Sequence, residues 1–378
     1  MSVTLRRVIP QNFNPEGYTE FNNVDYVLSH QGSSLELGSV RIQAKLEIQN
    51  NNAPLYTDAN SPLDINIDNY VGAHTFVDGI QTEFQNKGVI ESCLNLPRFV
   101  KMKVSATNLQ DNLNEAKHTC ELRAGNSMLQ NSILKGSIPR EQLGTAVYKN
   151  PDFSFKPEIA LNSRSGMLPY SRTGDIRITL NLNTIASAIH GINAVSAAGA
   201  STVEYKLTDL EITYRTRPET GQEPPAELDS KMSIKQSIQS SYANVSAQVP
   251  AVCNSVSCSF IPSNQINSQV YNNTDLYKVI NLKELQFSFN DSTNKGVSFI
   301  IRDDVESQGR YIESFMDVDN NSVSRDNINN NVSYGLGLRF GDDAIDLRNQ
   351  KFNIQLQSNI SSANPFTMFL YFHSLISV

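Results

Sequence analysis

Five histidines, His30, His74, His118, His190 and His373, are the residues best suited to metal or acid–base chemistry, and they lie at least roughly forty residues apart. There is no H-x-x-x-H or H-x-H spacing, so a metal site would have to be assembled wholly from long-range contacts. They read as structural or surface histidines. The acidic stretch "DVDNNSVSRDNI" opens like a calcium loop, with Asp317, Asp319 and Asn321 at its first, third and fifth places. Its sixth place needs Gly and holds Ser322, and its twelfth needs a bidentate Glu and holds Ile328. It reads as a solvated loop. Adjacent acids such as Asp303–Asp304 and Asp342–Asp343 are expected by chance among 38 carboxylates. Trp is absent, which removes the best platform for stacking on a sugar, and there is no G-x-S-x-G elbow or Walker loop. No catalytic, cofactor-binding or metal-binding residue is therefore assigned, no cofactor is called for, and the chain does not read as an enzyme.

"GLGLRFG" has the wrong spacing for a dinucleotide fingerprint. Leu336, Leu338 and Phe340 alternate with Gly335, Gly337 and Arg339 as in a strand, and small residues on one face of a strand let a neighbouring chain or loop pack closely. Four cysteines, Cys93, Cys120, Cys253 and Cys258, are too few for a disulfide framework. Along one strand Cys253 and Cys258 would sit on opposite faces and ~16 Å apart, so Cys258 reads as core filler and Cys253 as an opposite-face residue. Arg6 and Arg7 lie ahead of the first expected strand. They are either solvated charges at a frayed end or part of an arm ordered by an anionic surface or a neighbouring subunit.

The elements that would carry these residues have a period of two. In "VRIQAKLEIQ" the apolar residues are Val40, Ile42, Ala44, Leu46 and Ile48, and "DIRITLNLN" repeats this with Ile176, Ile178, Leu180 and Leu182. "FVKMKVSA" offers Val100, Met102 and Val104, "DLEITYRT" offers Leu210, Ile212 and Tyr214, and "LQFSFN" and "KFNIQLQ" continue the pattern. Each predicts a strand with one wet and one buried face, the mark of antiparallel sheets. "PFTMFLYFHSLISV" is almost continuously apolar and predicts a strand covered on both faces. Strands are expected near Val24–His30, Val40–Gln49, His74–Glu83, Arg98–Ala106, His118–Arg123, Phe153–Ile159, Asp175–Asn183 and Val203–Thr216, with about eight more in the second half.

Between the halves, "TRPETGQEPPAELDS" cannot continue a ladder, because Pro218, Pro224 and Pro225 donate no hydrogen bond. Its composition is that of a stiff linker. At 378 residues two domains are the natural prior. The expected organisation is an arm at 1–21, a first sandwich at 22–222 and a second at 223–378. A net charge of −7, evenly spread, argues against a nucleic-acid surface. No run approaches the ~18 apolar residues of a spanning helix, and the opening residues lack the apolar centre of a secretory signal. The chain is thus expected to be made in the cytoplasm and to be soluble.

Two tandem sandwiches of about eight strands joined by a Pro-rich seam resemble the double jelly-roll major capsid proteins of tailless icosahedral DNA viruses, the tectivirus-like and adenovirus lineage. The resemblance rests on architecture along the whole chain. It is carried by "VDYVLSH…LGSVRIQAKLEIQN", by "YKLTDLEITYRTRP" and by the restart "SIKQSIQSSYANVSAQVPAVCNSVSCSF". The length resembles the compact members found in bacteriophages. The resemblance implies an all-β fold of two eight-stranded jelly rolls and a homotrimer whose six jelly rolls make a pseudo-hexagonal capsomer tiling an icosahedral shell in the virion. It also implies contacts with neighbouring capsomers and with penton and minor capsid proteins, and an N-terminal arm, Met1–Phe21, near an internal membrane where one exists. No sequence-specific nucleic acid is implied. Outward towers would come from Ala124–Asn150, Ala186–Thr202 and Arg302–Ser333, and the first half carries extra length between Ala124 and Leu168. Two other readings are a penton or minor capsid protein, for which one jelly roll would be expected, and a non-viral carbohydrate-binding or adhesive two-domain sandwich. The last predicts a secretion signal and exposed aromatic platforms.

Overall fold

The computed structural model describes residues 3–50, 67–68, 70–107, 121–122, 147–149, 153–190, 203–249, 252–268, 271–279, 281–290, 296–302, 305–315, 334–340, 344–348 and 351–378. The first half holds β1 (Thr4–Val8), β2 (Asn23–Leu28), β3 (Ser33–Leu37), β4 (Arg41–Asn50), β5 (Val77–Phe84), β6 (Gly88–Leu94), helix α1 (Leu96–Thr107), β7 (Val147–Lys149), β8 (Phe153–Phe155), β9 (Gly166–Pro169), β10 (Ile176–Leu182) and β11 (Val203–Pro218). The second holds β12 (Glu227–Ile238), β13 (Tyr242–Gln248), β14 (Val252–Cys253), β15 (Ser255–Pro262), β16 (Glu284–Asn290), β17 (Gly296–Ile301), helix α2 (Val305–Glu313), β18 (Leu336–Arg339), β19 (Ile345–Asp346), β20 (Lys351–Gln357) and β21 (Phe366–Ser377).

Alternation builds the first sandwich. Ile42, Ala44, Leu46 and Ile48 of β4 are buried, as are Ile176, Ile178, Leu180 and Leu182 of β10. They meet across one core because β4 lies in a seven-stranded sheet, ordered β7–β4–β11–β3–β9 with β8 also on β4 and β1 also on β11, while β10 lies in the layer β6–β5–β10–β2. The second sandwich packs β18–β15–β21–β12 against β13–β20–β16–β17, over a core that includes Phe260, Phe287, Phe352 and Phe372. Both sandwiches are antiparallel. They are joined where β12 meets β6 in a single parallel pair, Met232 opposite Ser92, which makes one eight-stranded sheet through both. The chain has the double jelly-roll fold, although the first sandwich exceeds eight strands. Part of the extra length before Leu168 adds β7, β8 and β9 to its larger sheet.

Several expectations need correction. Arg98–Ala106 is helix α1, not a strand. Asn95, in the left-handed region with φ 55°, starts it, its carbonyl accepting from the amides of Arg98 and Phe99. Pro97 fits the first turn, where its missing N–H costs nothing. The strand expected from His74 begins only at Val77, after the 3-10 turn Gly72–Phe76, and that from Phe153 stops at Phe155. Of His118–Arg123, only Glu121 and Leu122 are described, as a helical residue and a turn. Cys253 and Cys258 do not share a strand. The break at Asn254 reorients the chain, and both thiols enter the second core. Residues 4–8, read as an arm, pair along β11 from Thr4 opposite Thr216 to Val8 opposite Ile212.

Candidate functional site

The most elaborate polar construction among the described residues is the seam between the sandwiches. β21 makes it possible. Its even-numbered Met368, Leu370 and Phe372 enter the second core, while Phe369 and Tyr371 face the first, so nearly every residue of the apolar run is buried. On that first-core side α1 lies against the sheet. The Tyr371 hydroxyl donates to the Asn95 carbonyl at 2.9 Å, and Arg98 stacks on Phe369 with its guanidinium 4.6 Å from the ring centre.

Two buried ion pairs lie in this region, one within the first sandwich and one between the sandwiches. Asp68 accepts from Lys101 Nζ (2.7 Å), from Asn272 Nδ2 (2.6 Å) and Thr274 Oγ1 (2.7 Å) of the second sandwich, and from the amides of Tyr70 and Val71. Burial alone would raise its pKa, but the Lys101 charge and these donors outweigh it and hold the carboxyl well below its ordinary value. Arg98 donates to the carbonyls of Asp275 (2.8 Å) and Asn273. Burial pulls its pKa down to about 10, which leaves it a cation at neutral pH. The second pair joins the central strands. Lys231 of β12 reaches Glu91 of β6 at 2.7 Å, and Glu91 also accepts from the Thr82 hydroxyl (3.2 Å) and the Ala160 amide (2.8 Å). The single backbone pair there is supplemented by serines: Ser230 donates to the Ile90 carbonyl (2.5 Å), and Ser233 accepts from the Leu94 amide (2.7 Å).

Helix α2 covers the remaining first-core side of the second sandwich. Ser255, Ser257 and Ser259 leave room for it, and the Ser255 hydroxyl donates to the Ser314 carbonyl. A Cβ on Gly335 would collide with the Tyr311 ring, and one on Gly337 would lie 2.7 Å from Ser314 Cβ. The glycine alternation therefore serves close packing by a helix of the same chain. Residues 305–315 belong to this buried helix and its end rather than to an outward tower, since Tyr311 and Phe315 enter the first core.

The other sequence candidates are scattered. His30 bonds Arg6 at 2.6 Å, Arg7 pairs with Glu211 at 3.5 Å, and His74 is buried edge-on to Phe155 at 4.7 Å. His190 is partly buried, which lowers its pKa. His373 Nε2 lies 2.9 Å from Ser257 Oγ, which superficially resembles a nucleophile and base. Both are enclosed, with His373 packed on Phe99 and Phe315, so no substrate reaches them. Burial raises the Cys93 thiol to about 12 and Cys253 to about 11, so neither is a ready thiolate. No group of three or more His, Cys, Asp or Glu is placed to hold a metal among the described residues. His118, Cys120, Asp317, Asp319, Asn321, Asp303–Asp304 and Asp342–Asp343 lie outside them, as do most of Ala124–Asn150, 191–202 and 316–333. The sequence reading missed Asp68, Glu91, Arg98, Lys101 and Lys231. The available signal was charge inside apolar runs, as at Arg98 and Lys101.

The seam carries a pH dependence. Burial pushes Asp275 up to about 6, against the pull of Lys101 and Arg98. Its folded pKa thus exceeds the ~3.9 of an unfolded Asp, so the stability it contributes is complete below about pH 4 and is lost as pH rises through about 6. Asp68 behaves oppositely, its contribution being lost as pH falls below about 4. Asp275→Asn is expected to flatten the decline between pH 4 and 6. It should raise unfolding free energy at pH 8 by on the order of 2 kcal/mol, allowing for partial exposure. Urea unfolding at pH 5 and 8 measures this, and an unaltered difference between the two would refute it.

No family model matches this sequence, and no curated protein matches it. Solved structures do match in shape along the chain. The Faustovirus major capsid protein aligns with a TM-score of 0.64 at 8% identity, covering 100% of this chain and 90% of that one. A chain of the Sputnik virophage aligns at 0.60 and 11%, covering 100% and 85%, and the mavirus major capsid protein at 0.55 and 10%, covering 99% and 90%. At these identities the likeness is one of fold, and it spans both sandwiches.

Proposed function

We propose that this chain is a viral major capsid protein, a structural protein with no bond-making role. The observation that carries the proposal is the double sandwich with its buried seam, matched in shape over 99–100% of the chain by viral major capsid proteins. Tiling needs subunits whose two halves hold a constant angle, and a continuous sheet with a desolvated ion pair and the buried Asp68 hydrogen bonds across its junction supplies that constraint. The principal partner is the chain itself, in homotrimers that supply six jelly rolls to a pseudo-hexagonal capsomer of an icosahedral virion. Penton and minor capsid proteins are further partners. The working units are 22–222 and 223–378, and the gap between Pro218, where β11 ends, and Glu227, where β12 begins, supports that division. The segment 1–21, whose residues 4–8 are paired along β11, is assigned to an inner surface or internal membrane, supported by exposed Leu5, Ile9, Phe13 and Phe21.

Native mass measurement of the purified chain across a concentration series tests the proposal. A trimer, or particles built from trimers, is expected. A strict monomer at high concentration would sink it.

A further inference from the structure

A cleft of about 720 Å³ lies beside the linker, where Arg164 of the first sandwich meets Glu227 and Asp229 of β12. Its size lies within the ~300–1,000 Å³ of ligand sites. Its lining combines three cations, Lys103, Lys156 and Arg164, with three prolines, Pro157, Pro224 and Pro225. Lys103 is balanced by Glu158 at 3.1 Å, and Arg164 by Asp229 at 3.0 Å and Glu227 at 3.4 Å. Lys156 has no carboxylate at ion-pair distance among the described residues. Partial enclosure by the cleft lowers its pKa, and the like charges of Lys103 and Arg41 add to that effect against Glu158 and Glu121.

The cleft also touches a sheet edge. Gly166 and Met167, which open β9, line it. β9 ends the seven-stranded sheet and, among the described residues, pairs with β3 alone, from Ser34 opposite Pro169 to Leu37 opposite Gly166. Its outer backbone groups have no strand partner among the described residues, which is the template that strand addition uses. Prolines in the lining keep it rigid, so an incoming chain orders little of the protein.

We propose that this cleft receives an extended acidic peptide segment of another protein, which adds to β9 as a strand and sets a carboxylate against Lys156. A free anion would use the cation and leave the sheet edge idle. A neutral strand would use the edge and leave the charge unanswered. The proposal goes beyond the shell reading and can fail without altering the mass of the assembled protein.

The test is fluorescence anisotropy of a labelled Val-Glu-Val-Glu-Val-Glu probe with the full chain at low and at 0.3 M salt. Saturable, salt-weakened binding is expected, reduced at least about ten-fold by Lys156→Glu, which replaces attraction with repulsion. A probe N-methylated at alternate residues should also lose about ten-fold, because it cannot complete a ladder. Four results would each overturn the proposal: no binding at millimolar probe, equal affinity of the Lys156→Glu protein, equal affinity of the N-methylated probe, or displacement by equimolar inorganic phosphate. A fifth is a changed mass of the Lys156→Glu protein alone, which would make a second copy the occupant. Because Lys156 is exposed, its variant is expected to melt like the parent.

Discussion

Lys231→Ala is expected to lower the unfolding free energy by about 3–5 kcal/mol, the range for breaking a buried ion pair from one side. Truncation leaves Glu91 fully buried with only the Thr82 hydroxyl and the Ala160 amide as donors. The carboxylate left behind cannot reach water, so the cost exceeds that of a lost surface pair. The pair also sits beside the single backbone pair that unites the two sandwiches, so the damage falls on the junction. Although burial by itself would lower the Lys231 pKa, Glu91 raises it above the ordinary value. The contribution is therefore complete below pH ~10.5 and is lost only as pH rises through the higher folded value. Lys231→Met combined with Glu91→Leu should recover part of the loss, since both charges leave together, while Thr82 and the Ala160 amide stay unanswered. Urea unfolding of the three proteins at pH 7 decides it, and a loss below about 1 kcal/mol would mean that the pair is not energetically buried.

Gly337→Val should cost about 3 kcal/mol, at the upper end for overpacking, because the neighbours cannot retreat. The new Cβ meets Ser314 Cβ at 2.7 Å and the Tyr311 Cα, which is backbone, at 3.2 Å. Tyr311 in turn is enclosed in the first core and bonds the Met102 carbonyl at 3.2 Å, so α2 can move only by leaving α1. The expected signature is local: amide exchange across Val305–Glu313 speeds up while β4 and β10 keep their protection. Uniform acceleration over the whole chain would argue against α2 as the part displaced. Gly309, with open space around its Cβ position, is the control, and Gly309→Ala is expected to stabilise α2 slightly.

The sheets were legible because burial on one face leaves a period of two. Val40 to Ile48 and Ile176 to Leu182 became β4 and β10, and the apolar run from Phe366 became a strand with two buried faces. Helix α1 escaped for a related reason. Leu96, Phe99, Val100, Met102 and Val104 are buried alongside Arg98 and Lys101, so no polar stripe marks a helical period, and Val100, Met102 and Val104 happen to alternate. Asn95 and Pro97 were the usable signal. The seam was illegible because its partners are remote in sequence: Asp68 meets Asn272 and Thr274 across more than two hundred residues. Charges are also ordinarily assigned to the surface. Cys253 was misjudged because one non-strand residue, Asn254, resets the alternation.

β21 has a consequence for synthesis. A ribosome delivers the chain from its amino end, and β21 emerges after β12 and β15, the strands it sits between. Tyr371 bonds Asn95 from 276 residues away, so α1 waits with its flank uncovered through most of translation. The first sandwich can close early around β4, β10 and β11, but the second core and the junction both depend on one late segment. A nascent chain therefore gains its fixed inter-sandwich angle only near the end of its making. Half-made chains therefore lack the fixed junction that the finished chain has.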